Sequence, residues 1–239
     1  MALPKVETPT YELTLPSVDE VLSYRPFLVR EEKILLMAME DKSNMKNAIK
    51  EICEACTFGK WDVLSAPMFD VEYVFLNIRA KSVGEVQKLK LLCPDDKKTY
   101  QTVEVNLEDV NVEVDDNHTN KVVIDEDKQL GVVFKYPTLK DMDNKIVEGA
   151  GSDINIEGVL RMIVKSVDHI FEGDKIYPAK EATEKELNNF FEDLKQEDFK
   201  KIRVFFETMP KLRHVVEVEN PNTKVKSEVV ISGIKDFFS

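Results

Sequence analysis

The hydrophobic period of this chain changes twice, and this change constrains the fold more than any other feature. From Val86 to Tyr136 apolar and polar residues largely alternate, as in β-strands, whereas the flanking segments mostly repeat apolar residues every three or four positions, as in helices. Strands grouped between helices predict an α+β fold. We expect an N-terminal hairpin and helices in residues 1–85, a central antiparallel β-meander in residues 86–136, and C-terminal helices with a terminal hairpin in residues 137–239, either as separate segments or as one continuous domain.

The N-terminal segment begins with a predicted hairpin. Residues 11–15 alternate apolar and polar side chains, and residues 21–24 follow after a polar connection. Strong helix formers then predict a helix over residues 30–40. Ser43 can cap a second helix, which Gly59 ends. The apolar side chains that share one face of this second helix are Met45, Ile49, Ile52, Cys53 and Cys56.

A third helix, predicted over residues 71–81, is apolar on almost every side. We place Asp70 as its N-cap, and Gly84 stands just past its end. One apolar stripe contains Val71, Val74, Phe75 and Ile78, and a second stripe on the far side contains Tyr73, Leu76 and Ala80. Such a helix is either a central core element or a docking site for a partner, and the sequence leaves both interpretations open.

The central strands contain a change of parity. Residues 103–107 carry apolar side chains at odd positions and residues 110–114 carry them at even positions, which predicts a turn or bulge at residues 108–109. Further strands are predicted over residues 121–124 and 130–136. Nine acids and one base lie between Gln101 and Asp127, a pattern typical of solvated strand faces. Calcium binding is the weaker alternative, because no EF-hand loop is present.

The helical period returns after Gly151. A stripe at spacings of three and four predicts a helix containing Ile156, Leu160, Ile163, Val167 and Ile170. Residues 183–186 have the form of a capping box that opens another helix, and Pro210 ends a further helix over residues 197–209. The chain then shows a hairpin pattern over residues 215–218 and 225–231.

Charge and cysteine content disfavour several classes of protein. The chain has 45 acidic and 33 basic residues, a formal charge of −12, which argues against a nucleic acid as the main partner. Three cysteines are too few for a disulfide scaffold and indicate a reducing cytosol. Residues 1–7 lack the pattern of an export signal and no later stretch is apolar enough for a membrane span, so we expect a soluble protein without a membrane partner.

Few residues have the spacing that catalytic or metal-binding groups usually have. Cys53 and Cys56 form a C-x-x-C pair on the apolar face of a predicted helix, which favours simple burial. The alternative is a zinc-dependent binding protein or enzyme that uses this pair, Cys93 and one histidine from the set His118, His169 and His214. No glycine-rich phosphate loop is present. We therefore expect no enzymatic activity, no cofactor and no metal.

Several strings of the sequence resemble one known family. The longest is FDVEYVFLNIRAKSVG at residues 69–84, and it is accompanied by LPK at residues 3–5, YELTLP at residues 11–16 and YRPFLVREEKILLMA at residues 24–38. The ending ISGIKDFF at residues 231–238 is similar as well. Together these strings resemble the baseplate hub protein family of T-even-like contractile-tailed phages.

The resemblance implies a role in building the central hub of the tail baseplate, around which the tail tube and the tape-measure protein assemble. It implies binding to other phage baseplate hub and tail proteins, with the tape-measure protein among the candidates. Some family members stay in the virion baseplate, and others act only in the host cytoplasm as transient tail-assembly chaperones; both roles stay open. The family has no established active site. The residues that we expect to contact a partner are Tyr73, Phe75, Leu76, Ile78, Arg79, Ile234, Phe237 and Phe238.

Overall fold

The computed structural model describes residues 7–40, 44–141 and 156–237, which form two compact units. The first unit contains the described residues of 1–113 and 211–239, and the second contains those of 114–143 and 150–210. All paired strands within these ranges are antiparallel, so the predicted α+β class is confirmed. The boundary after residue 113 falls inside the segment 86–136, whose strands are therefore divided between the two units.

The first unit begins with the predicted hairpin and helices. The elements are β1 (Tyr11–Thr14), β2 (Val21–Tyr24), α1 (Val29–Glu40), α2 (Met45–Cys56) and α3 (Met68–Val83). Ser43, the predicted cap of α2, lies outside the described residues. Helix α1 packs on α2, and α2 packs on α3.

The predicted N-cap of α3 is wrong. The helix begins after Pro67, so Asp70 lies in its first turn and is buried. There the Asp70 carboxylate accepts hydrogen bonds from the backbone N–H of Ser17, at 3.1 Å, and from the Ser17 hydroxyl. The side chain therefore ties α3 to the β1–β2 hairpin, a long-range role that local cap rules do not reveal.

The strands of the first unit form a hairpin and a three-stranded sheet. The hairpin pairs β3 (Val86–Leu92) with β4 (Tyr100–Asn106), and the sheet has the order β11 (Lys226–Ser232), β10 (Lys211–Glu219), β5 (Asn111–Glu113). A 3-10 turn at Leu107–Asp109 produces the predicted change of parity. A short helical turn, α7 (Gly233–Asp236), follows β11 and packs against α3.

The second unit is inserted into the first at neighbouring positions. Among the described residues, the chain leaves the first unit after Glu113, the last residue of β5, and returns at Lys211, the first residue of β10. Glu113 and Lys211 are direct partners in the antiparallel ladder. Arg213 also forms an ion pair with Glu113 at 3.0 Å. The sheet of the first unit therefore closes across the point of insertion.

The second unit contains a four-stranded sheet and three helices within its described residues. The sheet has the order β6 (Lys121–Asp125), β7 (Leu130–Phe134), β8 (Val167–Glu172), β9 (Lys175–Pro178). The helices are α4 (Ile156–Lys165), α5 (Glu184–Glu192) and α6 (Gln196–Thr208). Helix α5 opens with the predicted capping box, in which Thr183 and Glu186 each bond the other's backbone.

The helix predicted over residues 156–170 ends earlier than expected. It stops at Lys165, and Val167 and Ile170 belong to β8, where they pair with Phe134 and Val132 of β7. The apolar residues at these positions are compatible both with one face of a helix and with a half-buried strand. Pairing with β7 makes the segment a strand.

A close contact in the sheet of the second unit depends on a glycine. Gly131 of β7 lies directly opposite Phe171 of β8. A Cβ atom at Gly131 would lie 2.4 Å from the Phe171 ring and 2.4 Å from the carbonyl oxygen of Val122. The ring covers the backbone where the side chain is missing, and Phe171 is buried as a result.

Candidate partner-binding surface

The aromatic and aliphatic residues that we expected to meet a partner are mostly covered by the chain itself. Phe75, Leu76 and Ile78 of α3 are at most 1% exposed, and Phe237 is fully buried. Leu76 and Phe237 lie in one hydrophobic cluster with side chains of β3, β4, β10 and β11. These four residues are core side chains, three of them on α3, and they offer no surface to a partner.

The other four expected residues differ in their burial and in whether the structure describes their side chains. Tyr73 is half-buried and packs against the same cluster, and Arg79 is half-buried beside Gln87, whose Oε1 lies 3.5 Å from Nη2 of Arg79. Burial lowers the pKa of Arg79. Phe238 and the side chain of Ile234 lie outside the described residues.

The most exposed apolar helix face of the first unit's described residues lies on α1. Val29, Leu36, Met37 and Met39 are between 42% and 80% exposed, and we call this group the α1 face. Val29 and Leu36 are two helical turns apart on this side of the helix, and Met37 and Met39 lie on its flanks. The exposed charged residues Glu32, Lys33 and Glu40 lie on the same side, so the α1 face is an apolar group interleaved with charges. The opposite side of α1 buries Glu31, Leu35 and Ala38. Several exposed apolar residues together on one helix are a feature that interaction surfaces often have.

The sequence analysis did not identify the α1 face, although a signal was present. Residues 34–39 are six consecutive apolar residues, which is more than one side of a helix can bury. Both helices have excess apolar residues, and only the tertiary structure shows that α3 buries them while α1 exposes them.

A buried ion pair fixes the position of α1. Glu31 is 2% exposed, and its Oε1 accepts hydrogen bonds from Nη2 of Arg25 at 2.8 Å and from Nε of Arg30 at 2.7 Å. Its Oε2 accepts the backbone N–H of Leu28 at 2.8 Å. Arg25 also donates to the carbonyl oxygen of Pro26 at 2.9 Å and lies 3.7 Å from Sγ of Cys56 on α2. These contacts hold the buried side of α1 against the residues that precede it and against α2.

The hydrogen bonds to Glu31 decide its charge state. Burial alone would raise the pKa of this carboxyl group, but the hydrogen bonds from Arg25, Arg30 and the Leu28 amide outweigh burial and lower the pKa to about 2. Glu31 is therefore ionised at neutral pH and remains a full counter-ion for Arg25.

The cysteine residues have the properties of buried core side chains. Cys53, Cys56 and Cys93 are all free and buried. Burial raises the pKa of the Cys53 thiol and raises that of Cys56 to about 11, so both are protonated at neutral pH and are poor nucleophiles. Burial and then the charges of Asp95 and Asp96 raise the pKa of Cys93. Within the described residues, no group of three or more His, Cys, Asp and Glu side chains could hold a metal ion.

His118 bridges three parts of the second unit. Its Nδ1 lies 2.9 Å from the Thr208 hydroxyl, and its Nε2 lies 3.1 Å from the Tyr136 hydroxyl. Because Thr208 donates its proton to the Val204 carbonyl, we infer that Nδ1 donates to Thr208 and that Nε2 accepts from Tyr136. Burial lowers the pKa of His118, although Asp115 opposes this effect. The imidazole is therefore a neutral structural bridge whose two nitrogens are both occupied.

Comparison with known proteins gives one match. A family model described as "T4 bacteriophage base plate protein" matches residues 8–239, and it therefore extends through both units. Searches of curated proteins and of solved structures returned no match. None of the helices formed by the described residues is long and apolar enough to cross a membrane.

Proposed function

Because the chain belongs to the family of T4 bacteriophage base plate proteins, we propose that it is a non-enzymatic component or assembly factor of the central baseplate hub that acts by binding other tail proteins. The family match over nearly the whole chain carries the baseplate assignment. The finer assignment to the hub rests on the resemblance of residues 24–38 and 69–84 to hub proteins.

The α1 face supports a binding role. Four apolar side chains are exposed on one helix, while its other side is fixed by the Glu31–Arg25 pair. Because this pair helps to hold the helix in place, a partner that covers the exposed apolar side chains has to order those side chains but not the helix itself. We propose that this face contacts a hub or tail protein during assembly in the host cytoplasm, with the tape-measure protein as one candidate.

Substitution on the α1 face tests the binding role. The double variant Leu36→Glu/Met37→Glu should reduce co-purification of tagged chain with baseplate proteins from infected cells by at least about tenfold, because charges would have to be buried. Val204→Glu is the matched control, since Val204 is a similarly exposed apolar residue on a helix of the second unit. Equal recovery of baseplate proteins with both variants would refute a role for the α1 face.

An immunoblot of purified virions separates a resident component from a transient chaperone. Signal that persists after a high-salt wash indicates a resident hub component, and its absence together with binding in cell extracts indicates a chaperone. A chain that binds no baseplate protein at any stage of infection would refute the proposed function.

A further inference from the structure

A cleft in the second unit differs in charge from the rest of the chain. It has a volume of about 590 Å³ and lies beside β8, β9 and the end of α4. The residues that determine its chemistry are Lys135, Lys165, Lys180, Asp168, His169 and Ile176. Among the described residues that line it, three lysines share the cleft with one acid, in a chain whose formal charge is −12.

The acid of the cleft has its own partner within the same unit. Oδ2 of Asp168 lies 2.6 Å from Nδ1 of His169. Lys135 and Lys180 are exposed, and no ion pair between described residues involves either of them. Lys165 is half-buried and lies within 3.4 Å of the Asp141 carbonyl oxygen. Lys135 and Lys180 therefore carry positive charge that no ion pair between described residues neutralises.

An exposed apolar side chain and a strand edge lie beside this charge. Ile176 of β9 lines the cleft and is 62% exposed. Among the described strands, β9 pairs only with β8, so its other edge presents backbone donors and acceptors. Edges of this kind can accept an extended segment of another chain as an added strand.

We propose that this cleft binds an acidic, extended segment of another protein. Carboxylates of the segment lie against Lys135 and Lys180, and an apolar side chain of the segment packs on Ile176. Charge complementarity favours such a partner, because the lysines of the cleft attract its carboxylates while the chain as a whole is strongly acidic. A nucleic acid is the poorer occupant, since its continuous phosphate charge would meet few lysines and a strongly acidic protein. The proposal does not depend on the hub role.

Fluorescence anisotropy with the purified full-length chain tests the proposal. The probe is a fluorescein-labelled octapeptide of alternating glutamate and leucine, and the comparison peptide has glutamine in place of glutamate. We expect saturable binding of the acidic peptide in low salt and at least about tenfold weaker binding of the glutamine peptide. Absence of acidic-peptide binding at millimolar concentration would overturn the proposal.

Matched charge reversals locate the site. Lys135→Glu/Lys180→Glu should weaken binding of the acidic peptide about tenfold or more. Lys128→Glu/Lys200→Glu changes the net charge equally at exposed positions of the same unit outside the cleft, and it should have little effect. Circular dichroism checks that both variants fold. Equal weakening by the two variants, or equally tight binding of an eight-nucleotide single-stranded DNA, would refute a cleft that is selective for acidic peptide.

A third variant tests the apolar contact. Ile176→Thr keeps a β-branched residue suited to a strand and removes the apolar surface beside the lysines. This variant should bind the acidic peptide severalfold more weakly. The ratio of its affinities for the acidic and the glutamine peptide should stay the same. Unchanged affinity would show that Ile176 is not part of the site.

Discussion

Replacement of Glu31 by glutamine should destabilise the first unit by about 3 kcal/mol at pH 7. The hydrogen bonds to Glu31 lower its pKa from 4.5 to about 2, and a difference of this size corresponds to about 3 kcal/mol of stabilisation. Glutamine keeps the shape of the side chain but leaves the Arg25 guanidinium, which is 9% exposed, without its counter-ion. Loss of one partner of a buried ion pair independently suggests a cost of about 3–5 kcal/mol. Arg30 is well exposed and should contribute little to this value.

The pH dependence gives a second, independent reading of the same interaction. Because the folded-state pKa of Glu31 lies below its unfolded value, its stabilisation is present above pH 4.5 and is lost as the pH falls towards 2. The free-energy difference between wild type and variant should therefore fall below half of its neutral value by about pH 3. Trp61 is the single tryptophan of the chain and lies in the first unit, so its fluorescence during urea unfolding reports on the unit that contains Glu31.

The neighbouring residue provides the control. Glu32 is exposed on the same helix, and Glu32→Gln should change the free energy of unfolding by less than about 0.5 kcal/mol at either pH. The reasoning fails if Glu31→Gln costs less than about 1 kcal/mol at pH 7. It also fails if the cost is the same at pH 3 as at pH 7.

Three further predictions concern the second unit and the cysteines. Gly131→Ala should destabilise the second unit by about 1–3 kcal/mol, because the new methyl group meets Phe171 and the Val122 carbonyl, and faster amide hydrogen exchange in β7 and β8 would show it. The second unit should lose stability as the pH falls below 6.5, because the pKa of His118 is lower in the folded than in the unfolded state. Hydrogen exchange compared at pH 8 and pH 5.5 should show this loss in the wild type and not in His118→Gln. Protein purified without chelator should contain less than about 0.1 zinc or iron per chain by elemental analysis, since buried, protonated thiols are poor ligands; a stoichiometric metal would restore the zinc hypothesis.

Local signals predicted the elements whose geometry is decided locally. The capping box at Thr183, the stop at Gly84 and the turn at residues 108–109 are all where the sequence places them. Each depends on residues within a few positions, through a side-chain cap, a positive φ or a change of strand parity. Such features do not need the rest of the fold.

The predictions that failed depended on distant contacts. Asp70 has the form of an N-cap, but its partner is Ser17, 53 residues away. Val167 and Ile170 continue a helical stripe, but β7 recruits them into a sheet. The candidate partner-binding surface could not be predicted for the same reason. The composition of α1 and α3 does not reveal which of the two helices the strands cover in the fold.

The paired positions at Glu113 and Lys211 have a consequence for how such a protein can diversify. Residues 114–210 connect two paired strands, β5 and β10, and so occupy the position of a hairpin loop. Because Glu113 and Lys211 are paired directly, connections of very different length and content are compatible with this pairing. Recombination at this junction can replace residues 114–210 by another domain or by a tight turn. Such a change should leave the strand register and the core of the first unit unaltered. The pairing of β5 with β10 therefore leaves the content of the segment between them free to vary.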